Sequence, residues 1–594
     1  MDQASPEPTR RRRRRIIAWS LVGLLVVVAV AGVWVVSRAL IVRDQLSAIA
    51  HLRTEVERSV EAGRIAELGP VVARFEAHAH EASAAAGDPV WRVAEVLPFA
   101  GPNLTAVRTV AESLDNVSDA VATPLVSLVD RLGGGLLHDG AFDVQVIGDA
   151  HEPMQRARGV LGASAAALAA VPRDQLIGEV ASGVTDVENL VALLAETVDG
   201  LADVSGVLPR MLGSDEPRSI LVMLQNNAEL RTGGGITGSF AELRAEAGSL
   251  TLVRQADSGE FSDLAAPDVA IPASTTQLYG DIVGRFVQNA TATPDFTLSG
   301  ELASSWWREL TGREPDTVIS IDPLVLRSLL DVTGPIDLAD GQRLSHDGFV
   351  KQVMVTPYLT LASPEQTEYF QGLTESYFDA LLSSDAPAAA WVSSLKGPIE
   401  QGRVSVWSRN DDEAEALSGT ALGGARERHL AAGDTAFAVY LNDTTGAKMD
   451  SALGVSVGTA VGSCRDDHQP EVAVRVRLVN NAPADAGKVW PESMTGGGHW
   501  GVEPGDIGTT VAVAAPQDWF FAGTRVDGER RSSVDVVDGG FPTSGVEVTL
   551  APGESAEVEM RFVAPTSNDF SPELIHTPLL RAPERLDTAQ ISCE

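Results

Sequence analysis

Ile220-Leu-Val-Met-Leu-Gln-Asn-Asn-Ala-Glu-Leu-Arg-Thr-Gly-Gly-Gly-Ile-Thr-Gly-Ser-Phe240 decides how the middle of this 594-residue chain is read. Its first five residues are an apolar run without polar alternation, short enough for a strand buried on both faces. The run gives way to a polar, glycine-rich loop. Ile236 to Leu243 and Leu250 to Gln255 then form a strand pair about Ala247-Gly248-Ser249. Thr317 to Ile321 reads as another strand and Pro323 to Asp331 as a helix with proline in its first turn. Thr333-Gly334-Pro335 stops that helix. Strands alternating with helices predict an α/β core with a mixed sheet over residues 206–455.

The loop concentrates unlike polar groups at the end of a buried strand, where α/β sheets bind ligands. It holds the amides of Asn226 and Asn227, the carboxylate of Glu229, the guanidinium of Arg231 and the hydroxyl of Thr232. Gly233, Gly234 and Gly235 follow, then the hydroxyls of Thr237 and Ser239. Three glycines let the backbone approach a ligand, and their amides can line an anion-binding concavity. The alternative is a tight loop whose amides bond its own backbone and whose Glu229 pairs with Arg231. Arg254 and Asp257, after the next strand, bring a second guanidinium and a carboxylate toward the same edge. Asn289 and Asp295 lie in a polar turn before a helix carrying Trp306 and Trp307, and Asp295 reads more readily as a turn or cap residue than as a ligand. No Lys-Ser or Lys-Thr follows the glycines, so a Walker loop is excluded, and H-E-x-x-H, G-x-S-x-G and zinc spacings are absent. No cofactor is expected, and no motif indicates a divalent cation such as magnesium.

Outward from this core, residues 37–205 read as a helical stalk. Val42, Leu46, Ile49, Val56 and Val60 follow helical spacing, as do Leu104, Val107, Ala111, Leu114 and Val117. Such a stalk offers a surface for self-association. Residues 456–594 read instead as strands. Val472, Val474, Val476 and Leu478 alternate with polar residues, as do Val546, Val548 and Leu550, then Val558, Met560 and Phe562. An immunoglobulin-like β-sandwich is the expectation. Cys464 and Cys593, the two cysteines, are expected to form one disulfide within it.

The amino-terminal end sets the location. Residues 1–15 form a basic tail containing six consecutive arginines, Arg10 to Arg15, and residues 16–36 carry no charge. About 20 apolar residues cross a bilayer core of about 30 Å, so 16–36 is expected to be an uncleaved transmembrane signal-anchor. Arginines before the span keep that end cytoplasmic and put the bulk of the chain outside. The formal net charge is −36; the first fifteen residues carry +4, which leaves −40 for the remainder. So acidic a surface repels nucleic acid, and no nucleic-acid partner is expected.

The segment Ile220–Phe240 resembles the signature of the bacterial domain-of-unknown-function family 4012. Pro294-Asp295-Phe296, Val318-Ile-Ser-Ile-Asp322-Pro323, Thr333-Gly334-Pro335 and Tyr440-Leu-Asn442-Asp443 are similar to other parts of it. Asp88-Pro89-Val-Trp91 through Pro98-Phe-Ala-Gly101-Pro102-Asn103 resembles the segment that precedes it in many members. The resemblance implies a membrane-anchored protein of the cell envelope, in the setting of polysaccharide assembly, with no established activity. A more distant likeness is to the LytR–CpsA–Psr glycopolymer ligases, in the order of Leu221–Leu224, Asn226–Arg231, Ile236–Val253, Arg254–Asp257 and Ile319–Pro335. That likeness implies binding or transfer of a polyprenyl-pyrophosphate-linked glycan or a cell-wall polymer, with Arg231 and Arg254 on the phosphates. The ligases' R-x-D and P-R-D sequences are not reproduced: Asn226 and Glu229 stand where aspartates belong. A non-catalytic envelope scaffold is the competing expectation.

Overall fold

The computed structural model describes residues 9–591 other than 62–68, 132–134, 139, 339–340, 463–464, 468, 500, 567–570 and 588–590. Cys464 and Cys593 lie outside the described residues. The chain forms two compact units, Met1–Gly133 with Val146–Gly206, and Gly134–Gln145 with Val207–Glu594.

The first unit is built from helices: α1 Thr9–Glu61, α2 Gly69–Ala86, α3 Pro89–Ala94, α4 Ala100–Val117, α5 Thr123–Arg131, most of α6 Val144–Asp149, α7 His151–Ala169 and most of α8 Gly178–Met211; the outer ends of α6 and α8, at 144–145 and 207–211, fall in the second unit. The amino-terminal part of α1 is long and apolar enough to cross a membrane, with a mean hydropathy of 2.7 over its most apolar window and none of that window buried. Beyond it, small residues let the helices approach closely. Ala79 and Ala106 pack with Val110, Leu114, Leu161 and Val184 in one cluster, and Ala82, Ala86 and Ala111 with Val42 and Trp91 in another. The Trp91 indole donates to the Leu104 carbonyl at 3.1 Å, which satisfies the polar atom of a fully buried ring.

The second unit begins inside the region expected to be stalk. Short strands β1 Leu137–His138 and β2 Ala141–Phe142 join the edge of a seven-stranded sheet, Ala141 pairing with Ser249. The other members are β3 Arg218–Asn226, β4 Ile236–Glu246, β5 Ser249–Asp257, β6 Thr317–Ile321 and β9 Val404–Ser408; β7 Ile336–Asp337 and β8 Arg343–Leu344 pair separately. The order is β1-β2-β5-β4-β3-β6-β9, with β3 and β6 parallel and the other pairs antiparallel, hence a mixed sheet. Both faces are covered. Leu221, Met223, Phe240, Trp306 and Trp307 fill one side, and Val325, Leu329, Trp391 and Val404 the other. Two covered faces are why the 220–224 run lacks polar alternation. Asp322 caps the helix Pro323–Thr333 by accepting from the amides of Leu324 and Val325.

The carboxy-terminal region is strand-rich, in two sheets sharing one core that includes Phe437, Val474, Val511 and Phe562. One sheet is β16 Val534–Asp538, β17 Phe541–Leu550, β13 Ile507–Ala514, β10 Ala436–Asp443 and β19 Glu573–His576. The other is β15 Glu529–Arg531, β14 Phe520–Val526, β18 Ser555–Val563, β12 Glu471–Asn480, β11 Leu453–Gly462 and β20 Glu584–Arg585. A boundary at 455/456 therefore does not describe the packing: β10 lies inside the first of these sheets and β11 inside the second. Local sequence gives no sign of this, because β10 is apolar enough for either core; its eight residues are all buried.

Candidate functional site

The loop after β3 is not a surface feature. Asn226, Asn227, Glu229, Arg231, Thr232 and Thr237 are all buried. Buried polar groups cost free energy unless paired, so their partners define what the loop does. Each nitrogen of the Arg231 guanidinium donates to protein. Nε reaches Asn289 Oδ1 at 2.8 Å and Nη2 reaches Glu229 Oε1 at 3.0 Å; Nη1 reaches the carbonyls of Leu230 at 2.7 Å and Asp443 at 3.3 Å. The other oxygen of Glu229 accepts from Lys448 Nζ at 3.1 Å, and that ammonium lies 5.1 Å from the centre of the Tyr358 ring.

The backbone of the loop is equally committed. The Leu230 amide donates to Asp450 Oδ2 at 2.7 Å and the Thr232 amide to Asn442 Oδ1 at 3.0 Å. The Gly233 amide donates to the Thr291 carbonyl at 3.0 Å and the Gly234 amide to the Arg231 carbonyl at 2.8 Å. Of the glycine amides expected to face an anion, that of Gly233 is thus held by the 287–292 turn and that of Gly234 by the loop itself, while β10 and the segment after it hold the neighbouring amides of Thr232 and Leu230. Close packing accounts for the glycines. A Cβ on Gly235 would stand 2.3 Å from the Asn226 carbonyl, and Gly234 holds φ +132°.

The remaining candidates disperse. Arg254 pairs with Glu260 at 3.0 Å and lies over the Trp307 ring, half-exposed on β5, rather than joining Arg231. Asp257 accepts from the Gly259 amide and from Thr367. Asp295 caps the helix Phe296–Thr311 through the amides of Thr297 and Leu298. Ser239 lies opposite Leu224 and Asp257 in the ladder, and Thr237 Oγ1 is buried without a hydrogen-bond partner. The structure gathers Asn226, Asn227, Glu229, Arg231, Thr232, the three glycines and Asn289, and leaves Arg254, Asp257 and Asp295 to local roles.

It also adds groups that sequence reasoning did not select: Asp322, Arg403, Asn442, Asp443, Lys448 and Asp450. Asn227 Nδ2 donates to Asp322 Oδ2 at 3.1 Å, and the same oxygen accepts from Arg403. Burial and the neighbouring Glu229 push the Asp443 carboxyl up to about 7, against the pull of Arg231. Burial and the Asp443 charge push Asp450 well above the usual carboxylate range. Asp443 closes an apolar strand and Asp322 directly follows one, so a signal existed. Beside this junction lies a cavity of about 270 Å³ lined by Asn227, Leu230, Asp450, Leu579, Arg581 and Glu584, among others. Asn227 Oδ1 and Asp450 Oδ1, both buried, have no hydrogen-bond partner there.

No curated protein and no solved structure matches the chain. A family model described as a protein of unknown function, DUF4012, matches residues 215–358. That stretch runs from the start of β3 into the helix Thr356–Thr360 and contains the whole glycine loop. Residues 215–358 are thus similar to the DUF4012 family.

Proposed function

We propose that this protein is a single-pass, membrane-anchored component of the bacterial cell envelope, its bulk extracytoplasmic, acting as a non-catalytic scaffold or interaction protein. The observation that carries the choice is the occupation of every Arg231 nitrogen by protein acceptors. A guanidinium held this way offers no fork to a pyrophosphate unless four hydrogen bonds are broken in a buried site. The six-arginine run before the apolar span supports the orientation. An immunoglobulin-like reading of the carboxy-terminal sheets suits an interaction module.

A second reading keeps the lipid-linked glycan or wall polymer as ligand, and places it in the cavity beside Asp450. The partnerless oxygens of Asn227 and Asp450 and the Arg581 guanidinium suit hydroxyl-rich molecules such as saccharides. The deciding experiment measures polyprenyl-pyrophosphate-glycan binding by the wild type, Arg254→Ala, Arg231→Lys and Asp450→Asn, with thermal melting of each. The scaffold reading expects no saturable binding by any of them and a lowered melting temperature for Arg231→Lys. Binding by the wild type that Asp450→Asn weakens at unchanged melting establishes the cavity. Binding that Arg254→Ala abolishes, again at unchanged melting, restores the phosphate site and overturns the scaffold. Protease added to wall-stripped cells tests orientation: the chain beyond the span is expected to be digested, and full protection reverses it.

A further inference from the structure

The helical unit carries an apolar turn with no protein to cover it. Val93 at the end of α3 and Val96, Leu97 and Phe99 between α3 and α4 have large exposures, 90% for Phe99 and 81% for Val96. The next turn, between α7 and α8, adds exposed Ile177; the Asn103 carboxamide holds the two together, accepting from the Ile177 amide at 2.9 Å. Contiguous exposed apolar residues mark an interaction surface. Phe99 also holds φ +67°, a strained conformation for any side chain but glycine.

The position of this turn identifies its partner. α2 runs antiparallel to α1, with Arg74 bonded to Glu55 and His78 to Gln45. At the far end Asp88 accepts from the Trp34 indole at 3.2 Å and pairs with Arg38 at 3.5 Å. Trp34 and Arg38 stand where the apolar span gives way to charge, so Asp88 marks the interface level. α4 then returns antiparallel to α2, Asp115 facing His80. From Asp115 back to Ala100 is about 22 Å of helix, whereas His80 to Ala86 is about 9 Å, at about 1.5 Å per residue. The turn before α4 therefore projects roughly 13 Å past the end of α2, alongside the apolar stretch of α1.

We infer that the Val93–Phe99 turn is a second membrane contact, a wedge that enters the outer part of the bilayer core beside the anchor helix. The inference rests on the membrane-anchoring reading. Its occupant is the acyl chain and glycerol region of the same bilayer, since the apolar residues continue the level of the span, the Glu95 carboxylate within the turn is held back against α4, and Arg92 stays exposed one turn earlier, at headgroup depth. Glu95 pairs with Arg108 at 2.7 Å and Arg92 with Glu112 at 3.7 Å. Asp174 and Gln175, exposed on the α7–α8 turn, hold that part at headgroup depth. Anchor and wedge together fix the tilt of the helical unit on the membrane, because α1 runs unbroken from the span into the bundle and the wedge gives a second point of contact.

The test uses the full chain in phospholipid vesicles, with Cys464→Ser and Cys593→Ser as background. An environment-sensitive fluorophore is attached at one of four substitutions: Phe99→Cys, Val96→Cys, Val26→Cys within the span, or Arg156→Cys on the exposed side of α7. Nitroxide lipids labelled near the glycerol are the quencher, and melting of each variant verifies the fold. Labels at positions 99 and 96 are expected to emit blue-shifted light and to be quenched at least threefold more than at 156. Quenching at 99 no greater than at 156, with strong lipid contact at 26, overturns the wedge and leaves the anchor standing. Water-like emission at 26 as well overturns the anchor and the wedge together. If the variant at 99 melts early, position 96 decides by the same criterion.

Discussion

The Asn226–Gly235 loop and the Val93–Phe99 turn invert the usual reading of polarity. The first is polar, glycine-rich and buried; the second is apolar, ends in a strained phenylalanine and stands exposed. A polar cluster reads from sequence as a ligand site and an apolar run as core. Here the polar groups find protein partners from distant segments, while the apolar ones have no protein surface to cover them. Polarity alone therefore does not locate a binding surface. What locates it is whether each group is already satisfied.

The largest effect is expected at the ion pair. Arg231→Ala or Glu229→Ala leaves a buried charge without its partner, a loss of about 3–5 kcal/mol in buried pairs. Lys448 covers the other oxygen of Glu229, so the arginine variant keeps part of the carboxylate's pairing and is expected to be the milder. Denaturant melts of the two variants check this. A shift under about 0.5 kcal/mol, the size of a surface substitution, would show the loop to be open rather than clasped.

Asp443 supplies the next test. Its carboxyl, ordinarily near 3.8, is pushed up to about 7, so the folded state holds a proton that the unfolded state releases. The stabilisation is complete below about pH 4 and is lost as pH rises to about 7, on the order of 2–4 kcal/mol over that window. Asp443→Asn mimics the protonated acid and should remove this loss, so its advantage over wild type should grow from pH 4 to 7 and then level off. His429 works against the trend: burial holds its ring down to about 4, so its contribution rises as pH climbs from there toward 6.5. For that reason the readout is the difference between variant and wild type, not either melting curve alone.

Gly235→Ala should cost about 1–3 kcal/mol, the price of overpacking, because the new methyl meets the Asn226 backbone. Gly238→Ala, with nothing within 4 Å of its Cβ, is the matched control and should stay within about 0.5 kcal/mol. Equal effects at the two positions would mean that loop packing does not require the glycines, and the anion-nest reading would regain ground.

Much of the middle of the chain was legible because the signals were local. The apolar run at 220–224 became β3, the Ala247-Gly248 turn joins β4 to β5, and Pro323 opens its helix behind the Asp322 cap. The clasp was legible only as the alternative, Glu229 with Arg231. Its other members, Asn289, Asp443, Lys448 and Asp450, lie 58 to 220 residues from the loop groups they bond or surround. No spacing rule reaches that far, since strand order brings such residues together. The same limit hid β1 and β2, four paired residues within a helical stretch, and β10, whose uniform burial fits either sheet. In the first unit the helices could be read from periodicity, but the exposure of Val96 and Phe99 could not. A Pro-Phe turn between helices reads as packed until the helix lengths show it overshooting the bundle.

The smallest effect has the opposite sign. Phe99 sits at φ +67° and ψ −43°, and its ring touches little protein. Strain of this kind costs about 1–3 kcal/mol for a side-chain-bearing residue and very little for glycine. Phe99→Gly should therefore leave the helical unit as stable as wild type or raise it by about 0.5–1 kcal/mol, since glycine's greater unfolded entropy offsets part of the relief. Thermal melts of the full chain in detergent micelles, which cover the apolar part of α1, compared with Phe99→Ala, separate the two contributions. Alanine keeps the strain and loses the ring; glycine loses both. If both variants melt several degrees below wild type, the ring has protein partners and the contrast with the buried loop collapses. If glycine alone rises, the strain is a cost that the fold does not need for its own packing, as the proposed membrane contact requires.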